Sequence, residues 1–285
     1  MRQEKFSPVL TPFVDNRVDL KKLRTHAENL LHKGIDGFFV CGSTSLSPSL
    51  SFSERMSIIQ TFGDIPERVI FQVGSLNLEE TLELARTGKK LGIRAIAAFP
   101  PYYYTNIPQY FIEKYYLEIS KIYPTFVYNF PAATGKDVSP ETVSSVNRAG
   151  GNLVGIKETV NDPAHMLSFK LEFGKDFKVF SGPDLLIMNA VRIGLDGVVA
   201  SSTNYVPDVV CRIFNSSNID EMTGLQRKIT DLVSLARRYG QLSSNYALVE
   251  ALQGYNVGDP REPIFPLTKE QKSEVTTKAM EIIKQ

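Results

Sequence analysis

The chain has no tryptophan, only two cysteines and only three histidines among its 285 residues. Cys41 and Cys211 do not make a metal framework, and neither belongs to a Cys-x-x-Cys pair. Both read as reduced, buried small residues of a cytoplasmic protein. His26, His32 and His165 fall on expected helices away from strand ends, at spacings that do not suggest ligands. No metal or organic cofactor is therefore expected, and neither a Gly-x-Gly-x-x-Gly nor a P-loop signature is present.

An excess of charge is missing too. The 32 basic and 31 acidic residues leave a formal charge of +1, which gives no electrostatic footprint for nucleic acid or an anionic membrane. An anionic ligand would have to be held by local donors. No apolar run approaches the ~20 residues of a membrane span, and the opening Met1-Arg2-Gln3-Glu4-Lys5 runs into a strand without the apolar core of a signal peptide. The sequon Asn215-Ser216-Ser217 then reads as chance.

What is present is an alternation of short apolar runs and amphipathic stretches. Strands are expected at 6–10, 37–41, 69–73, 95–99, 125–128, 153–156, 177–180 and 197–200. Helices are expected between them, at 19–33, 53–62, 78–91, 107–122, 139–148, 163–173, 184–193 and 207–214. Asp19 is placed to cap the first helix and Gly34 to end it; Asn77 and Glu80 have the spacing of a capping box. The apolar runs are continuous rather than alternating, as suits parallel strands covered on both faces. Eight strand–helix units in succession fit a (β/α)8 TIM barrel better than an open doubly wound sheet. After residue 217 the strand signal stops, and helices at 219–240, 243–253 and 268–284 read as a C-terminal helical appendage. We therefore expect a barrel over 1–216 and a helical region over 217–285 packed on it as one structural unit.

In such a barrel active sites lie at the carboxyl ends of the strands. Lys157 closes the apolar run Leu153 to Ile156, which puts an amine at the mouth of a core. A free lysine titrates near ~10.4, so about one molecule in a few thousand carries the neutral amine at pH 7; burial lowers that pKa and activates Schiff-base lysines. A lysine at a strand end can equally snorkel to solvent or pair with Glu158. Other strands end at Ser43 and Thr44, at Tyr102-Tyr103-Tyr104, at Tyr128-Asn129, at Ser181-Gly182 and at Ser201-Ser202. Ser/Thr clusters also cap helices, and tyrosine triplets also make packing or subunit contacts. Convergence on the end that carries Lys157 favours a site.

The segments Leu10-Thr11-Pro12-Phe13, Gly42-Ser43-Thr44, Pro101-Tyr102-Tyr103, Tyr128-Asn129-Phe130-Pro131, Thr134-Gly135 and Gly155-Ile156-Lys157-Glu158-Thr159 resemble, in order, the pyruvate-dependent class I aldolases. That superfamily contains dihydrodipicolinate synthase and N-acetylneuraminate lyase. Within it, Ala132 to Asp137, Leu242 to Tyr246, Gln253-Gly254-Tyr255 and Pro263 to Leu267 are most similar to the 2-keto-3-deoxygluconate aldolase branch. The resemblance implies that Lys157 forms an imine with the C2 ketone of a keto sugar acid, that Tyr128 is the general acid/base, and that pyruvate and glyceraldehyde are the products. It implies that Ser43 and Thr44 hold the carboxylate, that Thr159, Gly182 and Ser201 contact hydroxyls, and that Tyr103 reaches Thr44 of a neighbouring subunit in a homotetramer.

Departures from the pattern narrow the substrate. Ala133 stands where the synthase has a carboxylate-binding arginine, so that activity ranks low. Branch members that accept the 6-phosphate carry an arginine where this chain has Asn106, and an Arg/Ser pair where it has Arg237 and Gln241. With Arg237 as the one remaining phosphate contact, or neighbouring Arg238 in its place, the non-phosphorylated sugar acid is the expected substrate. A sialic acid lyase, a lysine-pathway synthase and a silent keto-acid binder are the rival readings.

Overall fold

The computed structural model describes residues 2–104 and 106–284. Eight strands close into a barrel: β1 (Glu4–Ser7), β2 (Gly37–Val40), β3 (Val69–Gln72), β4 (Ala95–Ala98), β5 (Thr125–Asn129), β6 (Leu153–Glu158), β7 (Lys178–Ser181) and β8 (Gly197–Val199). Each is hydrogen-bonded in parallel to its neighbours in sequence, and β1 pairs with β8 to close the ring. Seven of the eight strands lie where the apolar runs placed them, whereas β1, expected at 6–10, spans Glu4–Ser7 and leaves Val9 and Leu10 buried beyond the strand end. The sequence gives no sign of the small hairpin that pairs Phe13–Val14 with Arg17–Val18, because two-residue strands are too short to show a period.

Alternation along each strand sorts the apolar residues into two cores. Phe6, Phe39, Ile70, Ala97, Phe126 and Phe180 belong to the group that fills the barrel. The intervening residues, such as Phe38, Val40, Phe71, Val127 and Val179, meet the helices outside. Packing inside the barrel is tight at Gly155, where a Cβ would come within 2.4 Å of the Phe126 ring. That ring stacks on Phe180 at 5.6 Å between centroids.

The helices of the barrel are α1 (Leu20–His32), α2 (Phe52–Gln60), α3 (Leu78–Leu91), α4 (Gln109–Ser120), α5 (Pro140–Arg148), α6 (Pro163–Phe173), α7 (Ile187–Arg192) and α8 (Pro207–Asn215). Asp19 caps α1 as expected, its side chain accepting from the Lys22 N–H. The capping box proves to be at Ser51 and Glu54, at the start of α2. Asn77 does cap α3, but the Glu80 carboxylate receives the Ser75 hydroxyl instead of the Asn77 N–H. Cys211, expected buried, is only half-buried, and its thiol faces the carbonyl of Lys33.

Beyond the barrel come α9 (Ile219–Arg238), α10 (Gln241–Gln253) and α11 (Lys269–Lys284). The Tyr246 hydroxyl donates to the Thr11 carbonyl, and the Gln253 amide donates to the Tyr205 carbonyl. These contacts hold α10 against segments that follow the carboxyl ends of β1 and β8. No helix among the described residues is long and apolar enough to cross a membrane.

Candidate active site

A cavity of about 410 Å³ opens at the carboxyl end of the barrel, and Lys157, Tyr128, Ser43, Thr44, Thr159, Gly182, Ser201 and Arg237 all contribute to its wall. Apart from Arg237, which comes from α9, they meet there because they lie at or just after the carboxyl ends of parallel strands. The α9–α10 junction adds Gln241, Leu242 and Asn245 from the far side.

The Lys157 side chain points into the barrel. Its Nζ sits 4.3 Å from the centre of the Phe39 ring and 4.2 Å from that of Tyr128, and the residue is 3% exposed. Burial among these rings lowers its pKa to about 7, with the Asp184 carboxylate pulling in the opposite direction. Pairing with Glu158 is ruled out by strand geometry, since adjacent residues face opposite sides. Tyr128 and Lys157 are partners in the β5–β6 register, as are Asn129 and Glu158.

The Tyr128 hydroxyl donates to Ser43 Oγ at 3.1 Å. Burial pushes its pKa up to about 12, partly offset by hydrogen bonds with Ser43. A neutral phenol is therefore held between the lysine and the Ser43-Thr44 turn. Thr159 is fixed by donating its hydroxyl to the Asn129 carbonyl at 2.8 Å. Gly182 must be glycine for steric reasons, as a Cβ would approach Thr159 Cγ2 to 2.7 Å.

A family model described as the dihydrodipicolinate synthetase family matches residues 2–282. The chain belongs to the dihydrodipicolinate synthetase family. The 2-dehydro-3-deoxy-phosphogluconate/2-dehydro-3-deoxy-6-phosphogalactonate aldolase of Saccharolobus solfataricus is 39% identical over 281 residues, covering 96% of this chain and 94% of that protein. The crystal structure of KD(P)GA from T. tenax superposes with a TM-score of 0.95 at 34% identity, over 99% of this chain and 100% of that one. The Sulfolobus 2-keto-3-deoxygluconate aldolase in complex with D-KDPG superposes with a TM-score of 0.92 at 39% identity, over 99% and 96% of the two chains.

Not every residue singled out in the sequence of this family member reaches the cavity. Tyr103 lies outside its wall, 79% exposed, with a left-handed backbone at φ 67°. Asn106 and Arg238 are exposed and also outside it. Two cavity residues have no individual signal in the sequence. Asp184 is buried and accepts the Ser201 hydroxyl at 2.5 Å and the Ser202 N–H at 2.7 Å, which aims a carboxylate edge toward the site. Asn245 is 1% exposed, and its amide nitrogen and oxygen have no hydrogen-bond partner among the described residues. A buried, unsatisfied amide in a cavity wall is the kind of group a polar ligand completes. Both residues sit in helical turns, where an aspartate or an asparagine is ordinary and draws no notice.

The histidine reading needs correction. His165 is not remote from the strand ends: it lies 3.1 Å from the carboxylate of Glu158, the last residue of β6, and 3.3 Å from that of Asp137. Glu158 points outward because Lys157 points inward, and the first turns of α6 bring His165 to it. These three side chains are close enough to suggest an ion cage. The Asn129 amide, however, donates to Asp137 at 2.6 Å and to Glu158 at 2.8 Å. Asp137 Oδ1 and Glu158 Oε2 are thus already engaged by the Asn129 amide, while Asp137 Oδ2 faces His165 and Glu158 Oε1 accepts the Val160 N–H.

The buried lysine weakens the fold. Its folded-state pKa of about 7 lies below the ordinary 10.5, so between those values the unfolded chain binds the extra proton and stability rises with pH. Lys157→Met should raise the unfolding free energy by on the order of 4 kcal/mol at pH 7. The advantage should be complete below pH 7 and fade as pH approaches 10.5. Urea titrations of both proteins at pH 6, 8 and 10 check this; a constant difference would mean that the amine is not desolvated.

Proposed function

We propose that this member of the family is a class I aldolase that cleaves 2-keto-3-deoxygluconate reversibly to pyruvate and glyceraldehyde, with the non-phosphorylated substrate preferred. The observation that carries the proposal is the Lys157 amine, about half neutral at pH 7 given a pKa of about 7, facing the Tyr128 ring across one cavity. The names of the relatives support the same substrate class.

In this reading Lys157 Nζ attacks the C2 ketone, and loss of water leaves a protonated imine. The C3–C4 bond then breaks, its electrons move into the enamine, and the C4 hydroxyl loses its proton as the aldehyde forms. Tyr128 relays that proton. With its pKa near 12 it is not a standing phenolate; it takes the C4 proton while passing its own toward Ser43 and the substrate carboxylate. Protonation of the enamine at C3 and hydrolysis of the imine release pyruvate and restore the lysine.

The Ser43-Thr44 turn is proposed to bind the C1 carboxylate through hydroxyl and backbone donors, which needs no net positive charge. Thr159, Gly182 and Ser201 face the sugar hydroxyls. Tyr103, exposed and aromatic, is proposed to contact Thr44 of a second copy in a homotetramer.

Arg237 and the uncharged Gln241 both line the cavity. Losing one charged contact to phosphate costs ~1.5–3 kcal/mol, about one to two powers of ten in kcat/KM. The deciding experiment compares pyruvate release from 2-keto-3-deoxygluconate and from its 6-phosphate, without added metal. The unphosphorylated sugar acid should be favoured by about one to two powers of ten in kcat/KM. A parent enzyme that prefers the ester would refute the assigned preference while leaving the lysine chemistry in place.

A further inference from the structure

Behind the cavity, on the outer face of the same two strands, lies a polar cluster that the proposed chemistry does not use. Asn129 donates to both Glu158 Oε2 and Asp137 Oδ1, and its own Oδ1 accepts the Val138 N–H at 3.1 Å. Glu158 is 0% exposed. Its second oxygen accepts the Val160 N–H at 2.6 Å. His165 closes the cluster, with Nδ1 toward Glu158 and Nε2 toward Asp137.

The strand members of this cluster are tied to cavity residues through the backbone. Asn129 follows Tyr128, Glu158 follows Lys157, and the two pairs are in register across β5 and β6. The Asn129 carbonyl also receives both the backbone N–H and the hydroxyl of Thr159. Whatever holds Asn129 against Glu158 on the outside therefore fixes the separation of Tyr128 and Lys157 on the inside.

We propose that His165, as the imidazolium, is a positioning residue for the aldol chemistry: it clamps Glu158 and Asp137 around Asn129 and so holds Tyr128 and Lys157 in their working register. This inference rests on the aldolase reading above. Both ring nitrogens lie within 3.3 Å of a carboxylate oxygen; Nδ1 completes no hydrogen bond to Glu158, so the imidazolium holds the two carboxylates by charge, which a neutral ring would not do. Contact with Glu158, aided by the Asp137 and Asp162 charges, raises the His165 pKa above its ordinary value. The charged groups that face the ring are Glu158 from β6, Asp137 from the loop before α5, and Asp162 at the start of its own helix; its other neighbour is the Phe169 ring.

The consequence is a pH-rate profile with two limbs. Loss of the Lys157 proton raises cleavage, and loss of the His165 proton, held above its ordinary pKa by the carboxylates, lowers it on the alkaline side; a parent enzyme that traps pyruvate but shows no alkaline limb overturns the positioning role. His165→Gln, which keeps a donor but cannot titrate, should lower kcat about tenfold at the optimum, change KM less than twofold, and remove the alkaline limb below pH 10. Asp137→Asn, at a position exposed enough to tolerate change, should move that limb to lower pH by weakening the hold on the imidazolium. Borohydride trapping of pyruvate on the parent enzyme runs in parallel. If the parent traps no pyruvate, the aldolase reading itself fails. If it does trap pyruvate, a parental alkaline limb that persists in His165→Gln, or stays in place in Asp137→Asn, overturns the positioning role. Should His165→Gln not fold, the Asp137→Asn arm alone decides.

Discussion

Lys157→Arg loses cleavage of 2-keto-3-deoxygluconate by about five powers of ten or more, the scale seen when a covalent nucleophile is removed. Arginine keeps a cation in the same space, but its guanidinium stays protonated at any workable pH and cannot form an imine. The loss thus separates nucleophilic chemistry from charge. Trapping with borohydride and pyruvate should add the mass of the reduced adduct at Lys157 in the parent and leave the variant unlabelled. In the parent, kcat/KM should rise with pH through an apparent pKa near 7, the value to which burial lowers the amine. Below that value the ammonium dominates, so the rate falls about tenfold per pH unit. A label on another lysine, or an acid limb near the ordinary lysine value, would refute the assignment.

Tyr128→Phe should lower kcat for cleavage by about two to four powers of ten, the range attributed to a positioned general acid/base. Trapping of pyruvate at Lys157 should survive, because the ring that desolvates the amine is still present. The discriminating measurement is therefore paired: turnover of the sugar acid and extent of the trapped adduct on the same sample. Loss of both in parallel would assign Tyr128 to imine formation rather than to C3–C4 cleavage.

The barrel could be read from the chain because each strand is a continuous apolar run and each helix a clean stripe, so local period and tertiary role agree. Lys157 and Tyr128 were legible for the opposite reason: a lysine and a tyrosine at the ends of apolar runs break the pattern. Asp184 and Asn245 do not break any pattern. Their place in the cavity wall depends on how a short turn after β7 and the first turn of α10 are set against the barrel, and no periodicity encodes that. His165 is hard to place from the sequence because the carboxylates it contacts are not on its own helix: Glu158 sits on a strand and Asp137 comes from another unit. Helical spacing describes neighbours along one helix and is silent about a strand residue that points outward beneath it.

The pairing of Tyr128 with Lys157 and of Asn129 with Glu158 also limits how such a protein can diverge. Deleting or inserting one residue within β5 or β6 would turn the reactive side chain toward the helices and send an amide or a carboxylate into the cavity. Lineages of this enzyme are thus free to lengthen or shorten the loops after the strands, but not the strands themselves. New substrate ranges should be sought as changes of loop length and of the α9–α10 junction, with the spacing from Asn129 to Glu158 varied only in whole loops between the two strands.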